Sequence, residues 1–145
     1  MKQFPIAIIT LVLLTMMACS ATEHEFDLQM TEGQVRAMLP GSTVTAAYGR
    51  FTNHGTEAIE IVAFSSDSFS QVGLHETRIV QGVSRMESRP SWTLQPGEEL
   101  ELKPGAMHLM LMEPTGEIGV GSKVRLIVKV KTGKTFEFLL PVNAH

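Results

Sequence analysis

Thiols are almost absent from this 145-residue chain, which holds a single cysteine, Cys19. One cysteine has no intramolecular disulfide partner, so the fold must hold without a cross-link. Basic runs are also missing. The formal charge is −3 and no block of consecutive Lys or Arg occurs, which removes the electrostatic footprint of a nucleic-acid binder. Low-complexity tracts, long charge runs and internal repeats are absent as well. The serines and histidines are scattered, and no arrangement pairs a nucleophile with a base and an orienting group, so an enzyme is not expected. What the chain does have is 43% hydrophobic residues, enough for the core of one domain and too short a length for a second.

The N-terminus reads as an export signal. In "MKQFPIAIITLVLLTMMACS" Lys2 precedes an uncharged apolar run from Phe4 to Ala18. That run is short for a bilayer span and right for the apolar core of a signal peptide. Cys19 ends it, after the small Ala18, and this resembles a bacterial lipoprotein cleavage site with Cys19 as the acylated residue. Residues 1–18 are thus expected to be removed, leaving a single domain over 19–145 that touches a membrane only through its lipid. The expected location is the periplasmic side of the envelope, at the outer membrane in a Gram-negative host because Ser20 rather than Asp follows the cysteine.

Beyond the signal the pattern is of short strands. "STVTAAYGRFTNHG" (42–55) reads as a strand with "EAIEIVAFS" (57–65) as its return. "KVRLIVKV" (123–130) and "TFEFLLPV" (135–142) flank the turn "KTGK" and form a C-terminal hairpin. Between them lie "QVGLHETRIV", "GVSRMESRP", "EELELKPG" and "MHLMLMEP", each bounded by Gly or Pro, while "TEGQVRAM" (31–38) fits a short helix or a strand. Eight or nine strands without helical periodicity predict an all-β, antiparallel sandwich or barrel. "GEIGVGSK" lacks the order of a phosphate loop and reads as a turn.

The segment "MHLMLM" (107–112) carries chemistry. On a strand, His108, Met110 and Met112 point to one face and Met107, Leu109 and Leu111 to the other, with like-facing neighbours roughly 7 Å apart. Upstream, His75 and Met86 flank a turn near Val80 to Gly82. A hairpin centred between Val80 and Gln81 makes 75 and 86 direct partners; a centre one residue later makes them diagonal neighbours, still within side-chain reach. His75, ten residues, Met86, twenty-one residues, His108, one residue, Met110 is an H-x10-M-x21-H-x-M spacing.

This spacing resembles the signature of the PCu(A)C family of periplasmic copper(I) chaperones, and "AAYGRFTNHG", "GLHET" and "LKPGAMHLMLM" resemble its flanking text, from about Val35 to Val142. The resemblance implies a cupredoxin-like β-sandwich that binds one Cu(I) through His75, Met86, His108 and Met110. It also implies an acceptor, the binuclear copper centre in cytochrome c oxidase subunit II, with a thiol-reducing assembly factor as co-worker. Soft thioether and imidazole donors suit copper(I), and methionine needs no deprotonation and cannot be lost to a disulfide. A blue-copper electron carrier would need a thiolate that only Cys19 offers, at the processed end.

Three further residues are candidates for support. Met112 shares the parity of Met110 and belongs to the core or to the surroundings of the metal; Trp92 packs the core or screens the metal; Glu76 orients a histidine or stands solvated. "EPTGEIGVGSKV" departs from the family's Leu-Lys-rich loop, and His145 alone does not make a second copper site. Copper sequestration without delivery, and a metal-free envelope lipoprotein with a sandwich fold, are the alternative functions.

Overall fold

The computed structural model describes residues 26–144. The expected signal segment 1–18, Cys19, His24 and His145 lie outside them. Ten strands follow one another: β1 (Leu28–Arg36), β2 (Val44–Asn53), β3 (Ile59–Ser66), β4 (Phe69–Val80), β5 (Val83–Ser88), β6 (Trp92–Leu94), β7 (Glu99–Leu102), β8 (Met107–Pro114), β9 (Lys123–Val130) and β10 (Thr135–Asn143). The ambiguous segment 31–38 falls mainly in strand β1, and the short β6 is one more strand than the turn signals reveal.

Hydrogen bonding runs in the order β5-β4-β8-β2-β1-β10-β9-β3-β6, with β7 on β2 and an added β3–β4 bridge at Phe64 and Val72 that closes the sheet on itself. Every pairing is antiparallel except β1 with β10, joined in parallel at Val35 and Val142. The interior fills by strand alternation. Along β8, Met107, Leu109 and Leu111 are buried, and along β9 Val124, Leu126, Val128 and Val130 are. Phe51 sits at the centre, edge-on to Phe138 with ring centroids 5.6 Å apart.

The expected β2–β3 hairpin does not form: β2 pairs with β1, β7 and β8, whereas β3 pairs with β4, β6 and β9. Asn53 is the reason. Its buried side chain donates from Nδ2 to the carbonyls of Glu57 (2.8 Å) and Leu94 (3.0 Å), and its Oδ1 accepts from the Gly55 amide (2.9 Å). A polar side chain that satisfies three backbone groups at once makes "NHG" a corner that sends the chain to another part of the sheet. The C-terminal hairpin forms as expected, from Thr135 opposite Lys129 to Pro141 opposite Lys123.

The β4–β5 hairpin settles the register that positions the site. Val80 pairs with Val83 across Gln81-Gly82, whose φ angles are 52° and 76°. Two successive positive φ values are the mark of a type I′ turn, whose twist matches that of the strands it joins. Thr77 therefore faces Met86, and His75 faces Ser88. The direct His75–Met86 pairing is not realised; the diagonal one is.

Candidate metal centre

The β4–β8 ladder is the floor of the candidate site. His75 lies directly opposite His108, and Gly73 directly opposite Met110. Paired residues share a face, and so do residues two apart on one strand. His75, His108 and Met110 consequently stand on one face, and Met86 joins them as the partner of Thr77 on β5. The structure thus brings all four residues of the spacing to one side of three adjacent strands, in a staircase from Met86 through His75 and His108 to Met110. The imidazole centroids of His75 and His108 are 6.3 Å apart.

Their burial is graded. His108, on an interior strand, is only 5% exposed, whereas Met86, on the outermost strand, is 52% exposed. His75 and Met110 are half-buried. The tautomer of His108 follows from its surroundings. Nδ1 is 2.9 Å from the carbonyl of Ala106, which can only accept, so in the neutral ring Nδ1 carries the proton and Nε2 keeps a free lone pair. Burial holds the pKa of His75 below the ordinary histidine value, and repulsion from the facing His108 lowers it further. Both effects favour the neutral, ligating ring.

On strands β4, β5 and β8 this face carries no charged side chain; on the β2–β1 side a charge does approach, Arg36, which lines a shallow pocket with Met110. Between Gln71 and Ile79 the β4 residues of this parity are Gln71, Gly73, His75, Thr77 and Ile79; β5 adds Ser84, Met86 and Ser88; β8 adds His108, Met110 and Met112. Among the described residues no three His, Cys, Asp or Glu side chains gather to hold a metal ion. Imidazole nitrogens and thioether sulfurs without a carboxylate form a donor set for a soft, singly charged transition-metal ion and a poor one for Ca²⁺ or Mg²⁺.

The supporting candidates separate. Met112 is on the site face, opposite Gln71 on β4 and Val44 on β2, one step beyond Met110. Trp92 lies on β6, opposite Ile61 of β3, and packs against the hydrophobic core; its Nε1 is buried with no partner among the described residues. Glu76 alternates to the other face, where Arg78 Nε is 3.0 Å away and Arg89 Nε donates at 2.9 Å. These guanidinium contacts lower the carboxyl pKa and occupy Glu76, so it does not orient a histidine. The orienting acceptor that sequence reasoning misses is the backbone carbonyl of Ala106, which also accepts from the Thr77 amide at 3.0 Å. Only the turn "KPGA" before His108 hinted at it.

Comparison with known proteins identifies the fold and the family. The "Copper-bound PCuAC domain from PmoF2" superposes with a TM-score of 0.67 at 17% identity, over 83% of this chain and 97% of that one, a likeness of fold. The copper(I)-bound DR1885 of Deinococcus radiodurans gives a TM-score of 0.63 at 25% identity, over 86% of this chain and 83% of that one. The sandwich is therefore cupredoxin-like, as in PCuAC domains. Among curated proteins, "Putative lipoprotein Lxx21020" of Leifsonia xyli is 31% identical over 117 residues, which are 80% of this chain and 69% of that protein. "Uncharacterized protein RP573" of Rickettsia prowazekii is 28% identical over 73% of this chain and 65% of its own length. The family described as "Putative lipoprotein LpqE-like" matches residues 28–142. The chain belongs to this LpqE-like lipoprotein family, and its fold is that of the PCuAC copper domains.

Proposed function

We propose that this protein is a copper(I) carrier of the bacterial envelope, binding one ion through His75, Met86, His108 and Met110 and passing it to a thiolate-containing acceptor. The observation that carries the proposal is the convergence of two facing imidazoles and two thioethers on one face of β4, β5 and β8. The resemblance of the fold to copper-bound domains supports it.

The chemistry follows from the donors. Copper(I) gains two nitrogen bonds and soft sulfur contacts without having to displace a proton from a thiol. His108 supplies Nε2 from a ring locked by Ala106, a donor that needs no reorientation. The exposed Met86 is the donor an incoming thiolate can displace first. Thiolates outbid thioethers for copper(I), so transfer to a reduced dithiol is downhill. The acceptor of this reading is the dithiol site of cytochrome c oxidase subunit II, and acylation at Cys19 would hold the carrier on the periplasmic side of the envelope.

Titration of the reduced protein with copper(I) against a chromogenic chelator tests the reading. One equivalent should bind tightly, and His108→Ala with Met86→Ala together should abolish competition while the melting transition persists. Undiminished affinity in that double variant would refute the site. Transfer to a reduced dithiol protein should accelerate with acceptor concentration. A rate that ignores acceptor concentration would favour storage over delivery.

A further inference from the structure

Three residues of the candidate site occupy three corners of a rectangle on the β4–β8 ladder: His75, His108 and Met110. The fourth corner is Gly73, opposite Met110 and two residues before His75. A Cβ placed on Gly73 would lie 3.1 Å from His75 Nε2 and 3.5 Å from His75 Cδ2. The imidazole thus leans along its own strand, with Nε2 over the bare backbone at position 73.

Glycine within a strand normally answers a need of the backbone, and here none exists. Gly41, Gly49, Gly82, Gly97, Gly105, Gly121 and Gly133 have positive φ, but Gly73 does not, so any residue could take its conformation. A glycine in a strand interior also loses backbone entropy on folding and offers nothing to pack, so it weakens the strand relative to alanine. Its contribution here is the space above it. A metal ion binds about 2 Å from a coordinating imidazole nitrogen, so an ion on Nε2 competes for room with whatever side chain stands at 73.

The geometry points to Gly73 as a positioning residue of the metal centre: its missing side chain leaves open the corner into which His75 delivers Nε2 beside Met110. The inference rests on the copper-carrier reading and adds a determinant outside the four-residue spacing. Met86 lies in the opposite direction, at the Thr77 row, so it reaches the centre as a separate, more exposed arm. The ion is then held chiefly at the corner defined by His75, His108 and Met110.

The test is a double-mutant cycle on the purified full-length chain in detergent, with copper(I) affinity read by competition with a chromogenic chelator and folding by thermal melting. Gly73→Ala should weaken copper(I) at least tenfold and Gly73→Val more, with the cooperative melting transition retained, since the half-buried His75 ring can give the few tenths of an ångström that a Cβ 3.1 Å from Nε2 demands. In a His75→Ala background the same changes should cost little further affinity. Wild-type affinity in Gly73→Ala and Gly73→Val would overturn the inference while leaving the carrier reading intact. An equal loss with and without His75 would overturn it too, since Gly73 would then not act through that ring. A wild-type chain that takes up no copper(I) would sink the carrier reading first and this inference with it.

Discussion

Replacing Asn53 by Ala should be among the most damaging single changes in the chain, although the residue is remote in sequence from every candidate ligand. Asn53 is fully buried, and its amide makes three hydrogen bonds to backbone groups of Glu57, Leu94 and Gly55. Each such bond is worth about 1 kcal/mol net, and leaving a buried partner unsatisfied raises the cost toward the upper end of about 1–3 kcal/mol. Three bonds sum to about 3 kcal/mol, which for a domain of this size lowers the melting temperature by roughly 10 °C. Asn53→Asp sharpens the test. It keeps the Oδ1 acceptor for Gly55 but sets a carboxylate against two carbonyls, so it should be no better than alanine. Urea unfolding followed by the fluorescence of Trp92 measures both. A loss under about 1 kcal/mol for Asn53→Ala would refute the claim that this side chain fixes the β2-to-β3 corner.

Other outcomes are expected at the site and around it. Because burial and the facing His108 hold the His75 pKa down, the His75 ring should stay neutral and able to ligate as pH falls through the ordinary histidine value and should protonate only below it; NMR titration of the His75 ring in the metal-free protein checks the direction. In that metal-free protein the unfolded chain takes up the His75 proton first, so stability should fall as pH drops through the unfolded value of 6.5. On β8, Leu109→Ala should cost about 2–5 kcal/mol, while Met110→Ala, half-buried on the outer face, should cost far less stability yet weaken copper(I); equal melting losses would contradict the assigned faces. Incorporation of labelled fatty acid should depend on Cys19, and labelling that survives Cys19→Ala would exclude it as the anchor.

The sequence makes local periodicity legible and distant pairing much less so. Strand β8 falls where "MHLMLMEP" places it, because alternation tells which side chains enter the core, although not that His108 on the opposite face is buried as well. The same alternation put His108 and Met110 together before any partner strand was known. The partner of β2 was not legible: "EAIEIVAFS" is a strand, but the tertiary reach of Asn53 to Leu94 decides where it goes. The two hairpin centres differed by one residue, and the positive φ of Gly82 with none at Val80, together with the Val80–Val83 pairing, separates them. Ala106 escaped notice because a backbone carbonyl has no letter of its own. Gly73 escaped because a glycine beside a histidine looks like punctuation until the ring is seen leaning over it.

All six residues of β5 are exposed, and the strand hangs from β4 alone at the outer end of the sheet. A strand with one neighbour and no buried side chain adds little to the cohesion of the whole, so the β4–β5 arm can fray without the interior taking part. Amide hydrogen exchange should therefore be fast in Val83–Ser88 and slow in Met107–Leu111. Met86 travels with the fraying arm, while His108 and Met110 stay with the rigid body. For a carrier of the kind proposed, release and capture of cargo would then draw on a low-cost motion at the edge of the sheet, with the sandwich itself left closed.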